Sequence, residues 1–203
     1  MVLDVETPHG TARVHLRHAD EPRAWLVLGH GAGGGPTSRD LVAAAEAALA
    51  EGMSVALVEQ PYRVAGRRSP APAHHLDAAW LAIVERLRSD VLGDLRLIAG
   101  GRSSGARVAC RTAKAAGAAG ILCLAFPLVP PRRSGSKPAE SRLHELDAVH
   151  VPTLVVQGER DRFGLPPGSA LRTVVTVSGD HSLRFDLPAV AAAVGAWLHR
   201  VVD

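Results

Sequence analysis

Hydrophobic and polar positions change their period along this chain. Residues Val2 to Thr7 and Ala12 to His18 alternate apolar and polar around Pro8-His9-Gly10, which predicts a hairpin of two antiparallel strands. After it the alternation gives way to largely continuous apolar runs. Ala24–Leu28 reads as a strand covered on both faces and Gly120–Phe126 as another buried strand, with Val55–Glu59, Asp94–Gly100, Thr153–Gln157 and Leu171–Val177 as the further strands.

Segments of helical period separate these runs. Thr37 or Ser38 caps a helix reaching Glu51, with Leu41, Val42, Ala45, Ala48 and Leu49 at core spacing. His74 to Arg88 places Leu76, Trp80, Ile83, Val84 and Leu87 on one stripe. Further helices are predicted over Ser104–Ala116, Arg142–Ala148 and Pro188–Val201, the last opened by a proline whose missing N–H costs nothing there. Gln60 to Arg63 reads as a loop. Pro127 to Ser141, rich in Pro, Arg, Ser and Gly, reads as a mobile loop. An opening hairpin followed by strand–helix alternation predicts an α/β protein: a mostly parallel sheet with helices on both faces. Without a repeat or a linker, residues 1–203 read as a single domain.

Composition narrows the class. Aromatic residues make up only 3%, so the core has to be built from Ala, Val and Leu, and a base-stacking surface for nucleic acid is not expected. Of 23 basic residues only Lys114 and Lys137 are lysine; the arginines are scattered, with a formal charge of +3. Cys110 and Cys123 sit in apolar surroundings and are expected as buried free thiols, which suits a reducing compartment. The opening residues lack a basic leader pattern. The apolar run from Leu187 to Leu198 is shorter than the ~18 residues a spanning helix needs. A cytoplasmic protein without membrane contact is expected. Nothing in the pattern predicts a metal or cofactor.

Polar clusters fall where predicted strands end, which is where sites form in such sheets. His30-Gly31 follows the third strand, Ser103 the strand after Asp94, Asp161 the strand at Thr153, and His181 the strand at Leu171. In Gly101-Arg102-Ser103-Ser104-Gly105 a serine stands on a sharp strand-to-helix turn, and a strained turn requires small residues two positions to either side. Shifting the frame to Ser104 puts Arg102 at one of those positions, so Ser103 is the candidate nucleophile. A serine hydroxyl needs an adjacent base, and the base needs a carboxylate to orient it. His181 is the one histidine after a late strand. Asp161 is the expected acid, with Glu159 and Asp180 as competitors. Backbone N–H groups of Ala32 and Ser104 are the expected donors to an oxyanion. His30 reads as a residue that fixes its loop. Tyr62, Arg63 and Arg102 are candidate substrate contacts.

These clusters resemble a known family. Gly29-His30-Gly31-Ala32-Gly33-Gly34, Gly101-Arg102-Ser103-Ser104-Gly105, Gly158-Glu159-Arg160-Asp161-Arg162-Phe163-Gly164 and Gly179-Asp180-His181-Ser182 look like the motifs of a small α/β-hydrolase of the dienelactone-hydrolase-like branch. The resemblance implies the α/β-hydrolase fold without a cap domain. It also implies a serine hydrolase acting on a small ester or thioester through an acyl-serine, although dienelactone hydrolases carry cysteine where Ser103 stands. Two rival readings exist: a non-catalytic scaffold of the same fold, and a dinucleotide-binding oxidoreductase built on Gly29–Gly34 and Glu59. Pro36 and the two strands preceding the glycines argue against the latter.

Overall fold

A computed structural model describes residues 1–130 and 140–202. Most of the predicted Pro127–Ser141 loop therefore lies outside the described residues. Eight strands form a sheet in the order β1-β2-β4-β3-β5-β6-β7-β8. β1 (Val2–Thr7) and β2 (Gly10–Arg17) form the antiparallel hairpin, and β2 pairs antiparallel with β4 (Ser54–Glu59). β3 (Ala24–Gly29), β5 (Arg96–Arg102), β6 (Gly120–Leu124), β7 (Thr153–Gly158) and β8 (Arg172–Val177) continue from β4 in parallel.

The apolar runs are explained by burial on both faces. Trp25 and Val27 of β3, Leu97 and Ala99 of β5, and Ile121 and Cys123 of β6 face one core. They share it with α3 (Ala73–Leu87), α4 (Ser104–Thr112) and α5 (Leu143–Asp147). The alternate residues Leu26, Leu28, Ile98, Leu122 and Leu124 face a second core, with α1 (Arg39–Ala50) and α6 (Leu187–Val202). The period-2 alternation persists; it separates two apolar cores instead of core from water. Cys110 and Cys123 are buried, unbridged thiols with their sulfurs 3.5 Å apart.

Arg88–Leu92 adds a π-helical turn after α3 that the sequence pattern does not predict, and a second segment departs from expectation. Gln60–Arg63 is not loop: Pro61–Val64 forms a single helical turn, α2. Pro61 presets the first helical φ, and the Gln60 carbonyl accepts the N–H groups of Arg63 and Val64. Four residues are too few to carry a helical period, so the turn leaves no hydrophobic signature.

Backbone contact between β3 and the start of α4 brings the site together. A Cβ on Gly105 would run into the carbonyl oxygen of Gly29, so only glycine lets α4 start this close to β3. Likewise a Cβ on Gly158 would collide with the Asp180 carbonyl, which packs the β8 loop against the end of β7.

Candidate active site

The strand ends carry the candidate residues. Ser103 sits between β5 and α4 with φ 52° and ψ −106°, a backbone region that L-residues avoid. Its N–H donates to the Leu124 carbonyl at the end of β6. The side chain therefore projects from the strand end and not into the core.

Ser103 Oγ lies 3.0 Å from His181 Nε2, and His181 Nδ1 lies 2.8 Å from Asp161 Oδ2. A carboxylate can only accept, so in the neutral ring Nδ1 carries the hydrogen and Nε2 is left to accept the serine hydroxyl proton. The Asp161 side chain is fully buried and that of His181 is 19% exposed. Asp161 is held from two further sides. Its Oδ1 accepts the Phe163 N–H at 2.9 Å, and its Oδ2 accepts Gln157 Nε2 at 2.7 Å. The Phe163 ring packs on the His181 ring with centroids 4.3 Å apart. The competing acids are placed elsewhere: Glu159 pairs with Arg160 at the surface, and Asp180 Oδ1 accepts the N–H and hydroxyl of Ser182.

The glycine loop after β3 is pinned at its base. His30 donates from Nδ1 to the Gly31 carbonyl at 2.8 Å and accepts the Gln60 N–H on Nε2 at 3.1 Å. The Tyr62 hydroxyl donates to the Ala32 carbonyl at 3.1 Å. The Gly31 carbonyl held by His30 shares its peptide unit with the Ala32 N–H, and Tyr62 holds the next one; Ser104 is the first residue of α4, where backbone N–H groups have no partner within the helix. Burial pushes the Tyr62 phenol up to about 12, so it remains a donor at any working pH.

Burial also lowers the pKa of His30, with the Gly31 carbonyl opposing part of the shift. The sign follows. The unfolded chain takes up its proton near 6.5, before the folded one does, so the His30 contribution is complete above 6.5 and is lost as pH falls below it. Urea unfolding at pH 7.5 and 5.5 should show wild type losing up to roughly 1 kcal/mol per pH unit from this group. In His30→Gln, whose amide can make both hydrogen bonds, that part of the loss should vanish. Parallel losses in the two proteins would contradict it.

Of the three expected substrate contacts, Tyr62 and Arg102 are engaged within the protein. Arg102 Nε pairs with Asp40 Oδ2 at 2.8 Å, and its Nη2 donates to the His181 carbonyl at 3.0 Å. Arg63 lies in α2 with its Nε buried. Two supporting residues escaped the sequence reading. Gln157 is a polar residue closing an apolar strand, a signal that was available. Asp40 looks like an ordinary acid in a helix first turn, and nothing in the pattern distinguishes it. A recess of about 390 Å³ adjoins Gly33, Ser38, Arg102 and Ser182. A larger one of about 510 Å³, between the His9–Thr11 turn and α2–α3, is not lined by Ser103, His181 or Asp161. Among the described residues no group of three or more His, Cys, Asp or Glu could hold a metal ion, and no helix is long and apolar enough to cross a membrane.

A mostly parallel sheet with a serine on a strained turn after its fifth strand is the architecture of the α/β-hydrolases. The chain belongs to the alpha/beta hydrolase domain family, whose model matches residues 22–186. Its fold is similar to that of XC6422 from Xanthomonas campestris, an a/b serine hydrolase without lid (19% identity, 98% of this chain and 94% of that one, TM-score 0.76). It is also similar to Est1E from Butyrivibrio proteoclasticus (14% identity, 99% and 98% covered, TM-score 0.77). A third likeness is to dienelactone hydrolase from Anabaena variabilis (15% identity, 98% and 96% covered, TM-score 0.77). No curated protein sequence matches the chain.

Proposed function

We propose that this protein is a serine hydrolase that cleaves a small carboxylic ester or thioester through an acyl-Ser103 intermediate. The observation that supports this most is the hydrogen-bonded chain from Ser103 Oγ through His181 to buried Asp161. In the reading, Ser103 Oγ attacks the acyl carbon while Nε2 takes its proton. The imidazolium then gives that proton to the leaving alcohol or thiol, whose bond to the acyl carbon breaks. Water, deprotonated by the same Nε2, attacks the acyl carbon; the bond to Oγ breaks, the acid is released, and the imidazolium returns its proton to Ser103 Oγ. Asp161 holds the ring and stabilises its charged form. The Ala32 and Ser104 N–H groups would donate to the oxyanion, each worth about 3 kcal/mol of barrier in such sites.

Residues 1–203 are taken as one domain with no cap over Ser103, which suits small or exposed acyl groups. Est1E, of the same fold, has been seen with ferulic acid bound, so aryl as well as alkyl esters belong in the substrate panel. The test is covalent labelling with a fluorophosphonate probe. One equivalent should attach to Ser103, and a hydrolysable ester should slow the labelling. A folded wild-type protein that takes no label would overturn the proposal, and so would label at Ser104.

A further inference from the structure

Arg102 stands between Gly101 and Ser103, and each nitrogen of its guanidinium meets a different segment. Nε lies 2.8 Å from Asp40 Oδ2, in the first turn of α1. Nη2 donates to the His181 carbonyl at 3.0 Å. Nη1 lies over Gly31, so close that a Cβ there would stand 2.8 Å from it. The Arg102 side chain is 18% exposed and that of Asp40 only 2%.

Such a pair is a poor way to gain stability. Desolvating two charges offsets most of their attraction. Burial pushes the Asp40 carboxyl up from its ordinary range, and the Arg102 charge opposes that shift. The arrangement makes more sense as a device that fixes geometry. Only a planar fork with several rigid donors can face three segments at once; a lysine can neutralise Asp40 but cannot hold the other two in register. Those segments matter to the site. Gly31 precedes Ala32, α1 anchors the far end of the glycine loop, and the His181 carbonyl is part of the backbone that carries the ring to Ser103.

We propose that Arg102 is a positioning residue: paired with Asp40, it clamps the His181 loop and the glycine loop onto the residue preceding Ser103. The clamp sets the approach of His181 Nε2 to Ser103 Oγ. The inference rests on the hydrolase reading above.

Arg102→Lys and Asp40→Asn test it, assayed with p-nitrophenyl acetate alongside melting temperature and fluorophosphonate labelling rate. Both variants should melt within a few degrees of wild type and keep KM within about threefold. Their kcat should fall roughly 10- to 100-fold, because displacing reacting groups by about 1 Å costs on that order. Labelling should slow in parallel but still reach Ser103. An ion pair serving only the fold would be rescued by Arg102→Lys, so wild-type kcat in that variant overturns the proposal. Should either substitution unfold the protein, Gly31→Ala keeps both charges and displaces Nη1. A reduced kcat at unchanged melting temperature supports the clamp, and an unchanged kcat overturns it. A wild type that neither labels nor hydrolyses overturns the hydrolase reading and this one together, whereas active wild type with unimpaired variants overturns this one alone.

Discussion

Ser103→Ala should lower kcat for ester hydrolysis by on the order of 10⁴- to 10⁶-fold, abolish fluorophosphonate labelling and leave the fold intact. The size of the loss follows from the nucleophile's place in the mechanism. Without Oγ no acyl-enzyme can form, and what remains is the contribution of the oxyanion donors and of substrate binding to attack by water. That the fold survives follows from the backbone. The φ of 52° at Ser103 is a strain that serine and alanine share, and Oγ contributes only a hydrogen bond to a largely buried histidine. Ser103→Gly is the informative companion. Glycine adopts positive φ without penalty, so this variant should be equally inactive yet melt higher than Ser103→Ala. A stability gain on deleting the nucleophile would show that the turn is held strained for the sake of the site. Residual kcat within tenfold of wild type in Ser103→Ala, measured on protein free of contaminating esterase, would move the chemistry to another residue.

Each element of the fold around this site left a local signal in the sequence. Strands buried on both faces need continuous apolar residues, and a strained turn needs small neighbours; Ala24–Leu28 and Gly101–Gly105 record those demands directly. The chain positions of Ser103, Asp161 and His181 at strand ends follow from the same runs. What the pattern could not carry is side-chain convergence between distant segments. Arg102 reads as a candidate substrate contact beside the nucleophile, because nothing near it in sequence reveals that Asp40 lies within reach. Tyr62 misleads in the same way: its hydroxyl serves the Ala32 carbonyl, a contact across 30 residues. The α2 turn was missed for a different reason, being shorter than one period of the signal that identifies helices.

Asp161→Asn should reduce kcat by about 10⁴-fold while removing only one charge and no volume. The surroundings of Asp161 dictate how the amide must sit. The Phe163 N–H, fixed by the backbone at 2.9 Å, requires an acceptor at Oδ1, so the single oxygen of asparagine goes there and the NH₂ takes the place of Oδ2. That NH₂ then faces Gln157 Nε2, which sits 2.7 Å from Oδ2 in the wild type. Gln157 is poorly able to turn its amide to help. Its Nε2 is also directed at the carbonyls of Phe126 and Gly164, at 3.0 and 3.1 Å, which its own oxygen could not satisfy. Facing a donor instead of an acceptor, His181 moves its hydrogen from Nδ1 to Nε2. The ring then donates to Ser103 Oγ where it has to accept, and the serine loses its base. Two opposed donors in a buried place also cost stability, so Asp161→Asn should melt several degrees lower than wild type. Gln157→Leu separates the two effects. It removes the donor opposite the new NH₂, so Asp161→Asn/Gln157→Leu should not melt below the sum of the single losses, while kcat stays at the Asp161→Asn value because the tautomer is still wrong. A kcat within tenfold of wild type in Asp161→Asn would show that the carboxylate does not orient His181 during the reaction.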